Sequence, residues 1–392
     1  MRFSITPSLT RSLVLLWISH LLVDFFTGIW PMYKTIAQMD LAKAGLIAGV
    51  SGFIGEFLQV FFGYFCDRGY RKMILMLGLF LASMMLWITF MGGVVSSFFV
   101  LMLLMLGSGS FHPAAVGFAG SLSANSKSRS ILFFASGGAI GLAISQIAFV
   151  HVLNSFQGHA LIFFVPVAII LFLLALYPFP KTYQPRTLSV KEFFQPIMKA
   201  KRALLLLYLT QVANYTLYLA FIFLLPDLMA AKGCHKWLCM GGGHFTFILG
   251  SALLMTPAGF LCDRFGPKPV LLCVILGAIS LLYAFLFSPS LSAVESVLFL
   301  GCLGAMMGTI NPILVSWANR LVPESPSTVS AILMGFAWCL SNLGTLWAGL
   351  LSKSIHIDPI TSALAWMGLL LAAAFLFAMQ TPSAVPAAQQ AT

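Results

Sequence analysis

Gly63-Tyr64-Phe65-Cys66-Asp67-Arg68-Gly69-Tyr70-Arg71-Lys72 returns in altered form as Gly259-Phe260-Leu261-Cys262-Asp263-Arg264-Phe265-Gly266-Pro267-Lys268. Asp67 and Asp263 lie 196 positions apart, half of the 392-residue chain. Each copy closes one long apolar run and opens the next. A charged turn repeated at half-length between hydrophobic runs indicates two copies of one membrane unit.

Composition points the same way. Hydrophobic residues make up 60% of the chain and charged residues only 8%, against about 25% charged residues in soluble domains. So few charges cannot cover a water-facing surface of this size, and the chain reads as an integral membrane protein. A helix needs roughly 20 residues to cross the hydrocarbon core. Twelve runs of that order occur, near 11–33, 42–65, 72–92, 96–119, 130–153, 158–178, 203–229, 241–262, 268–288, 292–318, 327–351 and 360–380. They are continuously apolar, whereas barrel strands alternate over about ten positions. The first run follows Arg2 and Arg11 as a signal peptide would. It carries His20 and Asp24 and is followed by no small-residue cleavage site, so it is expected to remain.

Basic residues set the orientation. Sixteen of the 21 Lys and Arg fall on the same side of the runs as the N-terminus and five, Lys34, Lys43, Lys232, Lys236 and Lys353, on the other. This excess predicts cytoplasmic termini in a bacterial-type inner membrane. The net charge of +11 is then a topology signal, and a nucleic-acid partner is not expected. Cys234 and Cys239 share a non-cytoplasmic loop where a disulfide is chemically permitted.

The polar stretch 180–202 divides the chain into a six-run bundle at 1–179 and another at 203–380, with a cytoplasmic tail at 381–392. The stretch reads as a basic linker, and Phe193, Phe194 and Ile197 among its charges suggest an amphipathic helix on the membrane face. Beyond the turn, the repeat includes His112-Pro113 against Asn311-Pro312, 199 positions apart. Small residues are dense in the fourth, fifth, tenth and eleventh runs, which lets helices approach closely. Repeated halves with broken helices are a transporter signature.

With these features the chain resembles the major facilitator superfamily. That resemblance implies an all-α fold of twelve transmembrane helices in two pseudo-symmetric six-helix bundles. The family's turn runs Gly-x-x-x-Asp-Arg-x-Gly-Arg-Arg/Lys, and Gly63, Asp67, Arg68, Arg71 and Lys72 match it. Gly69 stands one place early. The second copy keeps Gly259, Asp263, Arg264, Gly266 and Lys268 but has Pro267 at a usually basic position. The resemblance gives these residues a gating role, in which the acidic group, Asp67 or Asp263, pairs with basic side chains and helix N-termini across the interface between the halves. Ser19-His20-Leu21-Leu22-Val23-Asp24, Phe111-His112-Pro113 and Gly137-Gly138 are similar to the fosmidomycin-resistance branch of efflux proteins. One departure is Ile144-Ser145-Gln146, where antiporters often carry Gly-Pro.

Among the acidic residues only Asp24 and Glu56 fall mid-span. A charge at the bilayer centre costs about 2.5–3.5 kcal/mol on insertion scales, so such a residue faces a cavity or a partner. His20 and Asp24 are four apart, on one helix face with Thr27. Glu56, Gln59 and Gly63 share a stripe with Gly52. Asp24, His20 and Glu56 are the candidate proton-coupling groups. The competing reading is a static His–Asp hydrogen bond that locks two spans.

His112 has two readings, a proton relay and a partner for the carbonyl that Pro113 frees. Asn311 before Pro312 has the same pair. Gln211, Asn214, Tyr215 and Tyr218 form a polar-aromatic stripe expected to line a substrate cavity, joined by Trp338 and Asn342.

No phosphate-binding loop or nucleophile elbow occurs. No His, Asp or Glu ligand cluster is evident beside Asp24 in the sequence, and neither a metal nor a cofactor is expected. The expected function is proton-coupled secondary transport of a small organic molecule by a monomer, with export favoured and uptake as the alternative. A receptor or scaffold is the reading from another class. It would not need mid-span carboxylates.

Overall fold

The computed structural model describes residues 9–91, 93–121, 127–156, 160–179, 198, 200–322, 329 and 332–382. The linker expected at 180–202 falls mostly outside these residues, as do Arg2, the tail beyond 382 and the side chains of Asp67, Lys127 and Arg129. Among the described residues there is no strand.

Among the described residues, eleven helices are long and apolar enough to cross a membrane. They are α1 (Thr10–Ile36), α2 (Leu41–Phe65), α3 (Arg68–Phe90), α4 (Val94–Ala119), α5 (Phe133–Ser155), α7 (Lys201–Ala231), α8 (Leu238–Phe265), α9 (Pro267–Phe287), α10 (Ala293–Leu321), α11 (Ile332–Ser354) and α12 (Pro359–Gln380). A shorter apolar helix, α6 (Ala160–Leu176), completes the twelve expected. Large apolar side chains such as Val95, Phe172 and Phe260 stand exposed, as lipid-facing residues must.

Local chemistry sets the element ends. Ser292 and Glu295 form a reciprocal capping box at the start of α10, which satisfies two backbone donors that the helix cannot. Asp40 precedes α2 and accepts from the Lys43 N–H at 3.0 Å. That backbone donor holds the Asp40 carboxyl below its ordinary value. In α1 the regular ladder breaks at Gly28 and Ile29. Pro31 lies two residues beyond Ile29 and has no N–H to continue the ladder.

The chain packs as two units, 1–33 with 54–186, and 34–53 with 187–392. In the first, α1 runs along α5, and α3 along α4. In the second, α7 packs on α11 and α12, α8 on α10, and α9 on α10. The repeat is visible at atomic level. Lys72 donates to the carbonyls of Ala175 and Tyr177 at 2.8 and 3.0 Å, and Lys268 to those of Met379 and Thr381 at 2.7 and 2.8 Å. Each lysine caps carbonyls at the last turn of the final helix of its own half, where a cation also meets the negative end of the helix dipole.

The two copies of the charged turn solve one backbone problem differently. Gly69 has φ +97° inside a π-helical turn that joins α2 to α3. Gly266 has φ +84° and ends α8, with Pro267 opening α9. Glycine supplies the left-handed residue in both, so its one-place shift is accommodated by a continuous turn in one copy and a break in the other.

Gly109 on α4 lies against the Gly55 carbonyl on α2, and a Cβ there would overlap it. Gly308 on α10 meets Ser251 on α8 in the same way. Gly109→Leu is therefore expected to destabilise the first unit by about 1–3 kcal/mol, the usual range for overpacking. Thermal unfolding in detergent measures this, with Gly259→Ala as the control, since a Cβ at Gly259 meets nothing within 4 Å.

Candidate functional site

His20 and Asp24 lie one turn apart on the unbroken part of α1. His20 Nε2 is 3.2 Å from Asp24 Oδ2. His112 reaches the other carboxylate oxygen from α4, with Nε2 3.5 Å from Oδ1. Asp24 is thus held between two imidazoles, one on each oxygen. The backbone orients both rings. His20 Nδ1 donates to the Phe134 carbonyl at 2.9 Å, and its ring stacks on Phe134 with centroids 4.1 Å apart. His112 Nδ1 donates to the Ser108 carbonyl at 2.8 Å. The two imidazoles meet edge to face, 5.1 Å between centroids.

Gly138 makes room for this arrangement. A Cβ there would overlap the Asp24 carboxylate and the His20 ring, so α5 lies against the pair with bare backbone. Glu56 is buried at 9% exposure and interacts with His112, Asp24 and the Ser108 hydroxyl. The Asp24 and His112 side chains remain 20% and 24% exposed, so the cluster is not sealed.

The ligand-type atoms of His20, Asp24 and His112 all lie within 4.8 Å of one another. The expectation that no such cluster accompanies Asp24 is therefore corrected. The third member comes from another helix, 88 positions along the chain. That spacing would also admit a metal ion.

Other expected site residues divide. Thr27 donates to the Asp24 backbone carbonyl at 2.8 Å, beside the break in α1. Gln59 and Gly63 are half-buried on α2. The partners of His112 are Asp24 and Ser108. The carbonyl Pro113 frees, four residues back, is that of Gly109. Asn311 accepts from Gln211 Nε2 at 2.8 Å, and Asn214 donates to the Met307 carbonyl at 3.4 Å. Gln211 and Asn214 are fully buried and tie α7 to α10.

The aromatic part of the stripe looks elsewhere. Tyr215 meets the Trp338 ring edge-on at 4.5 Å, and Tyr218 lies 5.2 Å from Phe247. Asn342 donates to the Trp338 carbonyl at 2.9 Å.

At the charged turns the described side-chain contacts stay within each half. Arg68 stacks 3.4 Å over Tyr64, Arg264 lies 5.2 Å over Phe265, and Arg71 is buried against Gly117 and Phe118. Asp263 pairs with Arg320 at 2.6 Å, at the end of α10 in the same half. Cys234 and Cys239 are free thiols, with Cys239 Sγ 3.3 Å from the Cys234 carbonyl.

Reading the sequence missed one charged pair. Lys34, counted there among loop charges, is 1% exposed inside α1. Its ammonium binds Asp227 of α7. The available signal was a lysine only three residues beyond the Pro31 of an apolar run.

Comparison with known proteins agrees with the architecture. An uncharacterized MFS-type transporter, YfnC of Bacillus subtilis (strain 168), is 23% identical over 380 residues, covering 93% of this chain and 92% of its own. Two solved structures share the fold. One is a bacterial homolog of the human lysosomal transporter Spinster, in an inward-facing and occupied conformation. It has a TM-score of 0.77 at 15% identity and covers 96% of this chain and 97% of its own. The other is a point mutant of the nucleoside transporter NupG, with a TM-score of 0.77 at 13% identity over 95% of this chain and 99% of that one. The family model of the Major Facilitator Superfamily matches residues 13–237, more than half of the chain. The chain therefore belongs to the Major Facilitator Superfamily, a family of multi-pass membrane transporters rather than enzymes.

Proposed function

We propose that this transporter exports a small organic molecule in exchange for protons, by alternating access, with Asp24 as the proton carrier. The observation that supports it is the hydrogen inventory around Asp24. A carbonyl only accepts, so each histidine Nδ1 that faces one carries its hydrogen there. In a neutral ring Nε2 would then aim a lone pair at a carboxylate oxygen, which is also an acceptor. Two such contacts, at 3.2 and 3.5 Å, are favourable only when a proton sits in each. The cluster is thus built to hold protons that it can exchange through its exposed side. His20 and His112 position and share them, and Glu56 adds a second carboxyl within interaction range.

The likeness of the first and fourth helices to the fosmidomycin-resistance branch supports export. Ile144-Ser145-Gln146 in place of Gly-Pro supports uptake as the second reading. Gln146 is fully buried, and its amide has no hydrogen-bond partner among the described residues. Tyr215, Tyr218 and Trp338 would supply the aromatic wall of the substrate site. The charge bias supports cytoplasmic termini in a bacterial-type inner membrane, and the protein is taken as a monomer. The Spinster homolog and NupG support a small-molecule cargo without naming one.

A thermal-shift screen against metabolites and drugs supplies the cargo, because a bound ligand stabilises by mass action. Everted membrane vesicles with an acid interior are then expected to accumulate that cargo. Accumulation in right-side-out vesicles under an inward proton gradient instead would replace export by uptake.

A further inference from the structure

We propose that His20, Asp24 and His112 form a binding site for one divalent transition-metal ion of the zinc type, and that the bound ion takes the place of the carried protons and halts proton-driven transport. The effect on transport rests on the coupling reading of the proposed function. The binding itself does not.

Both rings are set as metal ligands are. His20 gives its Nδ1 hydrogen to the Phe134 carbonyl at 2.9 Å and His112 gives its own to the Ser108 carbonyl at 2.8 Å. In a neutral ring that leaves Nε2 with a lone pair, and both lone pairs converge on the Asp24 carboxylate. A metal-binding histidine almost always donates its other N–H in this way, which fixes its tautomer and makes it a stronger donor. The stack of His20 on Phe134, 4.1 Å between centroids, holds that ring further. Neither ring has to change tautomer to accept an ion.

The spacing fits a small ion. Metal bonds of about 2.0–2.2 Å at tetrahedral angles set neighbouring donors roughly 3.3–3.6 Å apart. The His20 Nε2–Oδ2 and His112 Nε2–Oδ1 separations are 3.2 and 3.5 Å, and each residue places a donor within 4.8 Å of the other two. A small inward movement of the rings closes the widest gap. Three protein donors with a fourth position left to water is the arrangement of open zinc sites. The Asp24 and His112 side chains keep some exposure, which gives the water and the entering ion a path. On the α5 side Gly138 sets no side chain over the donors, since a Cβ there would overlap Asp24 Oδ2 and His20 Nε2.

Charge selects the valence. Two neutral rings and one carboxylate carry a single negative charge between them. Glu56 of α2 is buried and interacts with Asp24 and His112, and when ionised it supplies a second. A divalent ion then leaves the whole cluster neutral, which matters inside a span, where an unbalanced charge is costly. The nitrogen donors select the element. Imidazole suits zinc and its transition-metal neighbours, whereas Mg²⁺ and Ca²⁺ take oxygen ligands. All of these residues belong to the first packing unit, so the site is complete within it. The ion and the protons need the same lone pairs and therefore exclude one another.

Purified full-length protein, stripped with chelator, is titrated calorimetrically with Zn²⁺ alone. One ion per chain is expected, with no binding heat from Mg²⁺ or Ca²⁺ at the same concentrations. His20→Gln and His112→Gln are each expected to weaken binding by at least about 100-fold, the upper end of what losing even an outer partner of a metal ligand costs. Cys234→Ser with Cys239→Ser removes two free thiols near the start of α8 and is expected to leave binding unchanged. His112→Cys guards against misfolding as the explanation, because it keeps a donor. With Co²⁺ it is expected to show a near-ultraviolet thiolate-to-metal band that the native protein lacks. Absence of that band, no Zn²⁺ binding by the native protein, binding that survives both histidine variants, or binding lost with the two thiols would each overturn the site.

Transport separates this inference from the coupling reading. Zn²⁺ is expected to stop cargo-driven proton movement in liposomes while cargo counterflow continues, and chelator to restore it. Proton movement undiminished by bound zinc would overturn the second half of the proposal. If zinc binds these residues but cargo moves without protons in its absence, the coupling reading fails and the site stands. If cargo drives protons and zinc does not bind, the site fails and the coupling reading stands.

Discussion

Asp24→Asn is expected to abolish proton-driven transport while cargo counterflow persists. Asparagine keeps the shape of the carboxylate, so His20 and His112 keep their positions and their bonds to the Phe134 and Ser108 carbonyls. An amide offers one oxygen acceptor and one NH₂ donor and takes up no proton near neutral pH. The NH₂ then donates to one neutral ring, only the contact with the amide oxygen still needs a proton on the other ring, and the carboxylate proposed as the carrier is gone. Loss of a positioned proton-transfer group typically costs on the order of 10²-fold or more. Counterflow needs only the cargo site and the conformational cycle, so it separates uncoupling from misfolding. A variant that still concentrates cargo against a gradient at the native rate would remove Asp24 from the coupling role.

The second large effect comes from a residue with no ionisable group. Gly138→Leu is expected to lower proton-driven transport by about 10²-fold, the scale on which a displacement near 1 Å damages a positioned site. A Cβ at Gly138 falls on His20 and Asp24, so the carboxylate must leave one histidine or α5 must withdraw. Ser136→Ala is the comparison on the same helix. It removes the 3.0 Å bond from Trp17 Nε1 to Ser136 Oγ but leaves the cluster intact, and it is expected to transport normally. Equal rates for Gly138→Leu and native protein would mean that the His20–Asp24 contact is dispensable.

The helices were legible because their signal is local. An apolar run of about 20 residues carries its own reading, and the repeated turn supplied the pairing of the halves. Positions within helices were less so. Thr27 shares a face with Asp24, yet its hydroxyl bonds the backbone, since a helical threonine finds a carbonyl within one turn. The stripe Gln211, Asn214, Tyr215 and Tyr218 looked uniform by spacing. The structure divides it, because Gln211 and Asn214 face partners on α10 that lie 100 and 93 positions further along the chain.

Long-range pairs were the least legible. His20 and Asp24 were found together because one helix carries both. The place of His112 on the second Asp24 oxygen depends on how α1 and α4 pack. Lys34 illustrates the same limit for charge. At the end of an apolar run a lysine reads as a snorkelling or loop residue. Its counter-ion Asp227 is 193 positions further on, in a different half of the repeat. The sequence around each residue is nearly silent about the other, and only the fold makes them one site.

Proton movement during transport tests the central claim most directly. Purified protein is reconstituted into liposomes holding a pH-sensitive dye, and cargo found by thermal shift is applied as a gradient with no initial pH difference. Cargo moving down its gradient is predicted to drive protons the opposite way, and the Asp24→Asn variant to give no signal. Cargo flux at full rate with no proton movement, in either direction, would contradict the account.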